Sequence, residues 1–164
     1  GGRTYGYTTV PEPSPTDPEH RLNMTLAAIE SNNKFFASRI ELDRTDQSFT
    51  VDTLTQIKSQ LHGRGKLFWI IGSDCLPELH RWREIDRIFF TADVVTVQRK
   101  TGDREKIKSL PLTPAQRAEL EKYYIETDPM LVSSTDLRAA ITHKNIPSPV
   151  LSYIKTHSLY KNVR

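Results

Sequence analysis

Three short segments carry residue types that can hold a nucleotide. In Gly72-Ser73-Asp74 a glycine, which lets a ligand approach the backbone closely, precedes a carboxylate. Placed directly after a strand, such a carboxylate can accept hydrogen bonds from ribose hydroxyls. The same trio would also serve as an ordinary helix start, with Ser73 or Asp74 as the cap. In Val132-Ser133-Ser134-Thr135-Asp136-Leu137-Arg138, hydroxyl side chains cluster where a helix begins, beside backbone N–H groups that have no partner within the helix. The helix dipole adds positive potential there, and Arg138, one turn in, can reach phosphate oxygens with a forked contact. The plainer alternative is a capped helix with a surface arginine. In Ser48-Phe49-Thr50-Val51-Asp52-Thr53 the residue types are those of the commonest caps, and capping is the simpler reading.

Other reactive types have less company. Trp82 stands among His80, Arg81, Arg83 and Glu84. Such surroundings suit an indole that offers a flat face to a heteroaromatic ring, and equally a half-buried packing residue. The five histidines (His20, His62, His80, His143 and His157) lack metal-ligand spacing, and Cys75 has no partner cysteine, so no protein-held metal is expected. Neither G-x-x-x-x-G-K-[ST] nor G-x-G-x-x-G occurs, which removes the P-loop and the dinucleotide fingerprint.

The elements that must position these groups alternate. Asp17 as cap, Pro18 and Glu19 start a helix over 18–31, with Leu22, Leu26 and Ile29 as its buried stripe. Alternation at Phe36, Ser38, Ile40 and Leu42 predicts a strand. Ser48 or Thr50 then caps a helix carrying Val51, Leu54, Ile57 and Leu61, which His62-Gly63-Arg64-Gly65 ends. Leu67 to Ile71 is a continuous apolar run that fits a strand buried on both faces. Residues 75–90 predict one or two short helices broken near His80, and Asp93 to Gln98 predicts a β-branched strand. Residues 100–110 are charged and predict a loop. Thr113-Pro114 starts a helix to about Tyr124, Met130 to Val132 form a short strand, Ser133 opens a helix, and Ser148-Pro149 starts the last one. This order implies an α/β fold with a mostly parallel sheet and helices on both faces. Right-handed crossovers put the strand C-termini on one edge, where ligands of such sheets bind.

Bulk properties narrow the classes. The 164 residues suit a single domain, 1–164, with the Gly/Pro/Thr-rich residues 1–17 as a loop or arm. Hydrophobic content of 37% and charged content of 26% are ordinary for a globular chain. No apolar run approaches the roughly 18 residues of a membrane span, and GGRTYGYTTV carries no signal-type apolar region, so no membrane role is expected. One cysteine excludes an internal disulfide and suits a reducing compartment, with the cytoplasm as default. The net charge of +3 is scattered rather than gathered in a stripe, so nucleic acid is not an expected partner, while anionic small ligands are. The oligomeric state stays open, a homo-oligomer included.

Five segments in order sharpen this reading: SFTVDTL, LFWIIGSDCLPELHRW, VVTVQR, VSSTDLR and PSPVLSYIKTHSLY. Together they resemble bacterial nicotinate mononucleotide adenylyltransferases of the nucleotidyltransferase superfamily, from about Glu19 to Tyr160. The resemblance implies a Rossmann-like three-layer fold and transfer of AMP from ATP to nicotinate mononucleotide, giving deamido-NAD and pyrophosphate in NAD biosynthesis, with Mg²⁺ accompanying ATP. It implies that Thr50 and Trp82 hold the nicotinate ring, Trp82 by stacking. It implies that Gly72 and Asp74 meet the adenine nucleotide's base and ribose. Arg99, Ser133, Ser134, Thr135 and Arg138 would then face ATP and its phosphates, with Arg138 a stabiliser of phosphate charge. The family's opening G-G-[TS]-F-D-P-x-H-x-G-H loop is matched by Gly1-Gly2 alone, and no His-x-Gly-His occurs in the chain. Gly1-Gly2 reads as the remnant of that motif in a longer enzyme. The alternative is a non-catalytic nucleotide-binding module on the same fold.

Overall fold

The structure is a computed structural model and describes residues 17–128 and 146–160. Its elements, in chain order, are α1 (Pro18–Ile29), α2 (Thr50–Gln60), β1 (Phe68–Gly72), a 3₁₀ segment Ser73–Arg81, α3 (Ile85–Thr91), β2 (Asp93–Val97), a second 3₁₀ segment Arg104–Ser109, α4 (Pro114–Lys122), β3 (Tyr124–Ile125) and α5 (Ser148–Thr156). They belong to two units, one holding α1 and α5 and the other everything from α2 to β3.

In the larger unit the three strands lie side by side in the order β1-β2-β3, all parallel. Parallel neighbours need a crossover between them, and the helical segments 73–91 and 104–122 supply it. The register pairs Phe68 with Asp93 and Gly72 with Val97, so β1 and β2 end level with each other. β2 is buried on both faces: Val94, Val95 and Thr96 are at most 8% exposed. β1, expected to be equally buried, is not. Ile71 faces the core, but Phe68 and Ile70 are 47% and 67% exposed. A continuous apolar run shows that both faces could be covered; what covers them is decided elsewhere in the fold. Val51 and Leu54 of α2, Leu76 and Leu79 of the first 3₁₀ segment, Ile88 of α3 and Leu120 of α4 complete one core with Ile71 and Val94.

Local chemistry explains the ends of these elements. Thr113 accepts the Gln116 N–H while the Gln116 side chain accepts the Thr113 N–H, a capping box that starts α4 with Pro114 in its first turn. His62, Gly63 and Gly65 take left-handed backbone angles after α2, as the predicted terminator requires. The Val94 N–H lies where the short β3 does not reach, and the Glu119 carboxylate of α4 accepts it at 2.9 Å. Burial pushes that carboxyl up from its ordinary pKa, partly offset by this bond.

Several expectations are corrected. α2 begins at Thr50 with Phe49 as an N-cap that makes no side-chain bond, so neither Ser48 nor Thr50 is the cap. The break expected near His80 falls at Trp82–Glu84, where Glu84 is left-handed. Residues 100–110, expected as loop, contain the second 3₁₀ segment, because Ile107 and Leu110 are drawn into the core despite charged neighbours. α4 stops at Lys122, and Tyr124–Ile125 pair with β2 rather than prolonging the helix. The strand expected at 130–132 and the helix expected from Ser133 lie outside the described residues.

In the smaller unit, Asp17 accepts the Glu19 N–H at 2.7 Å and Pro18 sits in the first turn of α1, as expected. The helix ends at Ile29 rather than 31, and Leu26, expected in a buried stripe, is 45% exposed. α1 meets α5 through polar side chains: Asn23 donates to the Tyr153 hydroxyl at 3.0 Å, and His20 Nδ1 shares a 2.9 Å hydrogen bond with it. No strand forms at 36–42, and Phe36 is 90% exposed. Alternation marks a face, but a strand exists only where a neighbour takes its backbone hydrogen bonds. Among the described residues, no helix is long and apolar enough to cross a membrane.

The asymmetry of β1 and the core can be tested by urea denaturation. Leu79→Ala, at a fully buried position, should cost ~2–5 kcal/mol. Ile70→Thr should stay within about 0.5 kcal/mol of the parent. A cost for Ile70→Thr as large as that for Leu79→Ala would show that the outer face of β1 is covered in solution.

Candidate active site

Because Gly72 and Val97 are partners in register, the segments that follow β1 and β2 leave from the same sheet edge. Three predicted residues meet there. A Cβ built on Gly72 would collide with Asp74 Oδ1 and lie 3.3 Å from Arg99 Cγ. Gly72 itself has φ −77° and ψ 149°, which any residue adopts. Glycine is needed at this position for space, not for backbone freedom. Arg99 Nε stands 4.0 Å from Asp74 Oδ1, and both side chains are partly solvent-exposed. An ion pair at that separation and exposure is weak.

The chain neighbours of Thr50 and Trp82 touch each other. The Arg83 guanidinium sits 4.3 Å from the centre of the Phe49 ring, a cation–π contact that ties the start of α2 to the end of the first 3₁₀ segment. Thr50 is half-buried in the first turn of α2. Trp82 is 8% exposed, and its ring lies against Trp69 with centroids 4.9 Å apart. Of the two roles its neighbours allow, packing is the one these contacts display. Ser133, Ser134, Thr135 and Arg138 lie outside the described residues.

Behind the edge lies a polar network built from residues of both loops. The Ser73 hydroxyl donates to Asp103 Oδ2 at 2.5 Å and accepts the Arg99 N–H at 2.8 Å. Asp103 Oδ2 also accepts the Lys100 N–H at 3.0 Å, and Oδ1 accepts Lys106 Nζ at 2.5 Å. Ser73 and Asp103 are 1% and 3% exposed. Burial pushes the Asp103 carboxyl up, but the bonds from Lys106, Ser73 and Lys100, with the Lys106 charge, outweigh burial and hold it below its ordinary value. No group of three or more His, Cys, Asp or Glu among the described residues is arranged to hold a metal ion.

The chain matches the cytidylyltransferase-like family model over residues 6–140. It is 31% identical over 152 residues to a probable nicotinate-nucleotide adenylyltransferase of Clavibacter michiganensis subsp. michiganensis, covering 90% of this chain and 72% of that protein. It is 36% identical over 149 residues to the like-named protein of a Roseiflexus species, covering 88% and 73%. The chain belongs to the nicotinate-nucleotide adenylyltransferase family. Its fold is shared by the nicotinic acid mononucleotide adenylyltransferase of Plasmodium falciparum in complex with APC, at a TM-score of 0.64 and 21% identity over 89% of this chain and 77% of that one.

For a nicotinate-nucleotide adenylyltransferase, the residues that sequence reasoning missed are Ser73 in its actual role, Asp103 and Lys106. Ser73 was a candidate cap. It is instead the first residue of the 3₁₀ segment, and its hydroxyl leaves the helix for Asp103. The D-x-x-K spacing of Asp103 and Lys106 was the available signal, hidden in a stretch rich in charge. The network predicts a pH dependence. The Asp103 carboxyl is depressed on folding, so its stabilisation is complete above the ordinary value of 3.8 and is lost as pH falls through the lower folded value. The difference in Tm between the parent and Asp103→Asn should therefore be widest near neutrality and shrink between about pH 5 and pH 2. A constant difference across that range would mean the carboxylate is not depressed.

Proposed function

We propose that this chain transfers the adenylyl group of ATP to nicotinate mononucleotide, giving deamido-NAD and pyrophosphate. A phosphate oxygen of the mononucleotide attacks the α-phosphorus of ATP, the bond from that phosphorus to the bridging oxygen breaks, and pyrophosphate leaves with the bond electrons. The observation that carries the reading is the convergence of Gly72, Asp74 and Arg99 at the shared C-terminal edge of β1 and β2. Open α/β sheets bind nucleotides at that edge.

In this reading the missing Cβ of Gly72 leaves room for the Asp74 carboxylate and the Arg99 side chain, Asp74 accepts from the ribose of the adenosine, and Arg99 donates to phosphate oxygens. Thr50 hydrogen-bonds the pyridine nucleotide and Trp82 stacks on its ring, with Trp69 packed against Trp82 at an interplanar angle of 57°. Ser133, Ser134 and Thr135 present donors to the phosphates, and Arg138 balances charge as pyrophosphate departs. Such reactions depend on positioning and charge stabilisation more than on covalent help from the protein. The described residues do not form a metal site. In this reading Mg²⁺ accompanies ATP, and no step here is routed through it. The single thiol of Cys75 suits a reducing compartment, the cytoplasm by default.

Pyrophosphate release by the purified protein should require both ATP and nicotinate mononucleotide. Gly72→Ala makes a sharper test. Its backbone angles are ordinary and the crowded atoms belong to movable side chains, so stability should stay within about 1 kcal/mol of the parent. Displacement of Asp74 and Arg99 should weaken ATP binding roughly 10-fold or more. Calorimetric binding of a mononucleotide with no pyrophosphate release would favour the non-catalytic module instead.

A further inference from the structure

The loop after β2 is held more firmly than its charged sequence suggests. Gln98 and Thr127 exchange two hydrogen bonds, Gln98 Nε2 to the Thr127 carbonyl at 3.0 Å and Thr127 Oγ1 to the Gln98 carbonyl at 3.1 Å. Arg104 reaches Glu121 at 2.9 Å and Glu126 at 2.8 Å and lies over the Tyr124 ring. Between these anchors sits Arg99. Its own N–H donates to Ser73 Oγ, and the next N–H, that of Lys100, donates to Asp103 Oδ2, which also accepts the Ser73 hydroxyl. Both amides flanking the Arg99 Cα are thus pinned to two side chains that touch each other. One of those side chains belongs to the Gly72–Asp74 turn.

Burying a carboxylate is costly unless donors surround it. An apolar side chain at 103 would fill the same space without that cost, but it could not accept hydrogen bonds from two different loops. We propose that Ser73 and Asp103 are positioning residues for the ATP side of the site, holding the backbones of Arg99 and Asp74 at one separation. This rests on the adenylyltransferase reading above. Neither residue touches substrate. They act by fixing the backbone from which Arg99 and Asp74 extend, so their loss should be felt by ATP and not by the pyridine mononucleotide.

The test is steady-state kinetics on the full protein with each substrate varied in turn, for Asp103→Ala, Asp103→Asn and Ser73→Ala, with folding checked by circular dichroism. In the folded variants the KM for ATP should rise roughly 10- to 100-fold, the range for small misplacement of a positioned group. The KM for nicotinate mononucleotide should stay within about threefold. Asp103→Asn keeps one acceptor oxygen and should recover part of the loss seen in Asp103→Ala. A merely structural role would lower the folded fraction, and so the turnover per total protein, without moving either KM. If Asp103→Ala does not fold, Ser73→Ala, which removes a single hydroxyl, decides. An unchanged KM for ATP, or equal rises for both substrates, overturns the proposal. A parent protein that releases no pyrophosphate would instead overturn the adenylyltransferase reading itself.

Discussion

The parallel pairing of β1 with β2, level at their C-terminal ends, is the constraint on which the rest of the site depends. With Gly72 opposite Val97, the chain leaves both strands at one edge, and Asp74 and Arg99 come within reach of each other although 25 positions separate them in sequence (99 − 74). A shift of one residue would turn every β2 side chain to the opposite face. Val94 and Thr96, now fully buried, pin the register on one face, and Val95 does so on the other. The apolar core and the polar edge are therefore two consequences of a single alignment.

At that edge the structure separates rigidity from reactivity. Ser73, Asp103 and the amides of Arg99 and Lys100 form a buried, fully occupied network. The Asp74–Arg99 pair in front of it is loose and partly exposed. Low surrounding dielectric strengthens the first, whereas water screens the second. A ligand can displace a contact of the second kind without disturbing the first. Burial, and next the negative charge of Asp103, push the Tyr124 phenol above its ordinary pKa.

Family membership and local geometry support each other at different levels. The matching segments carry the chain into the nicotinate-nucleotide adenylyltransferases, and the likeness to the Plasmodium falciparum enzyme extends to the fold. Neither says which groups hold Arg99 in place. That comes from hydrogen bonds between loops that are adjacent only because their strands are.

Short-range chemistry was legible in the sequence. Asp17-Pro18 and Thr113-Pro114 announce helix starts, His62-Gly63-Arg64-Gly65 announces a stop, and the β-branched run at 93–97 announces a strand, because caps, left-handed turns and strand preference act over a few residues. The glycine that ends β1, the carboxylate after it and the arginine after β2 were likewise visible as residue types at strand ends. Long-range facts were not. Whether 36–42 would find a strand partner, whether both faces of β1 would be covered, and whether Ser73 would cap its own helix or reach Asp103 all depend on groups distant in sequence. Tertiary structure alone decided these, because a hydrogen bond or a buried face is a property of two segments and a sequence pattern describes only one.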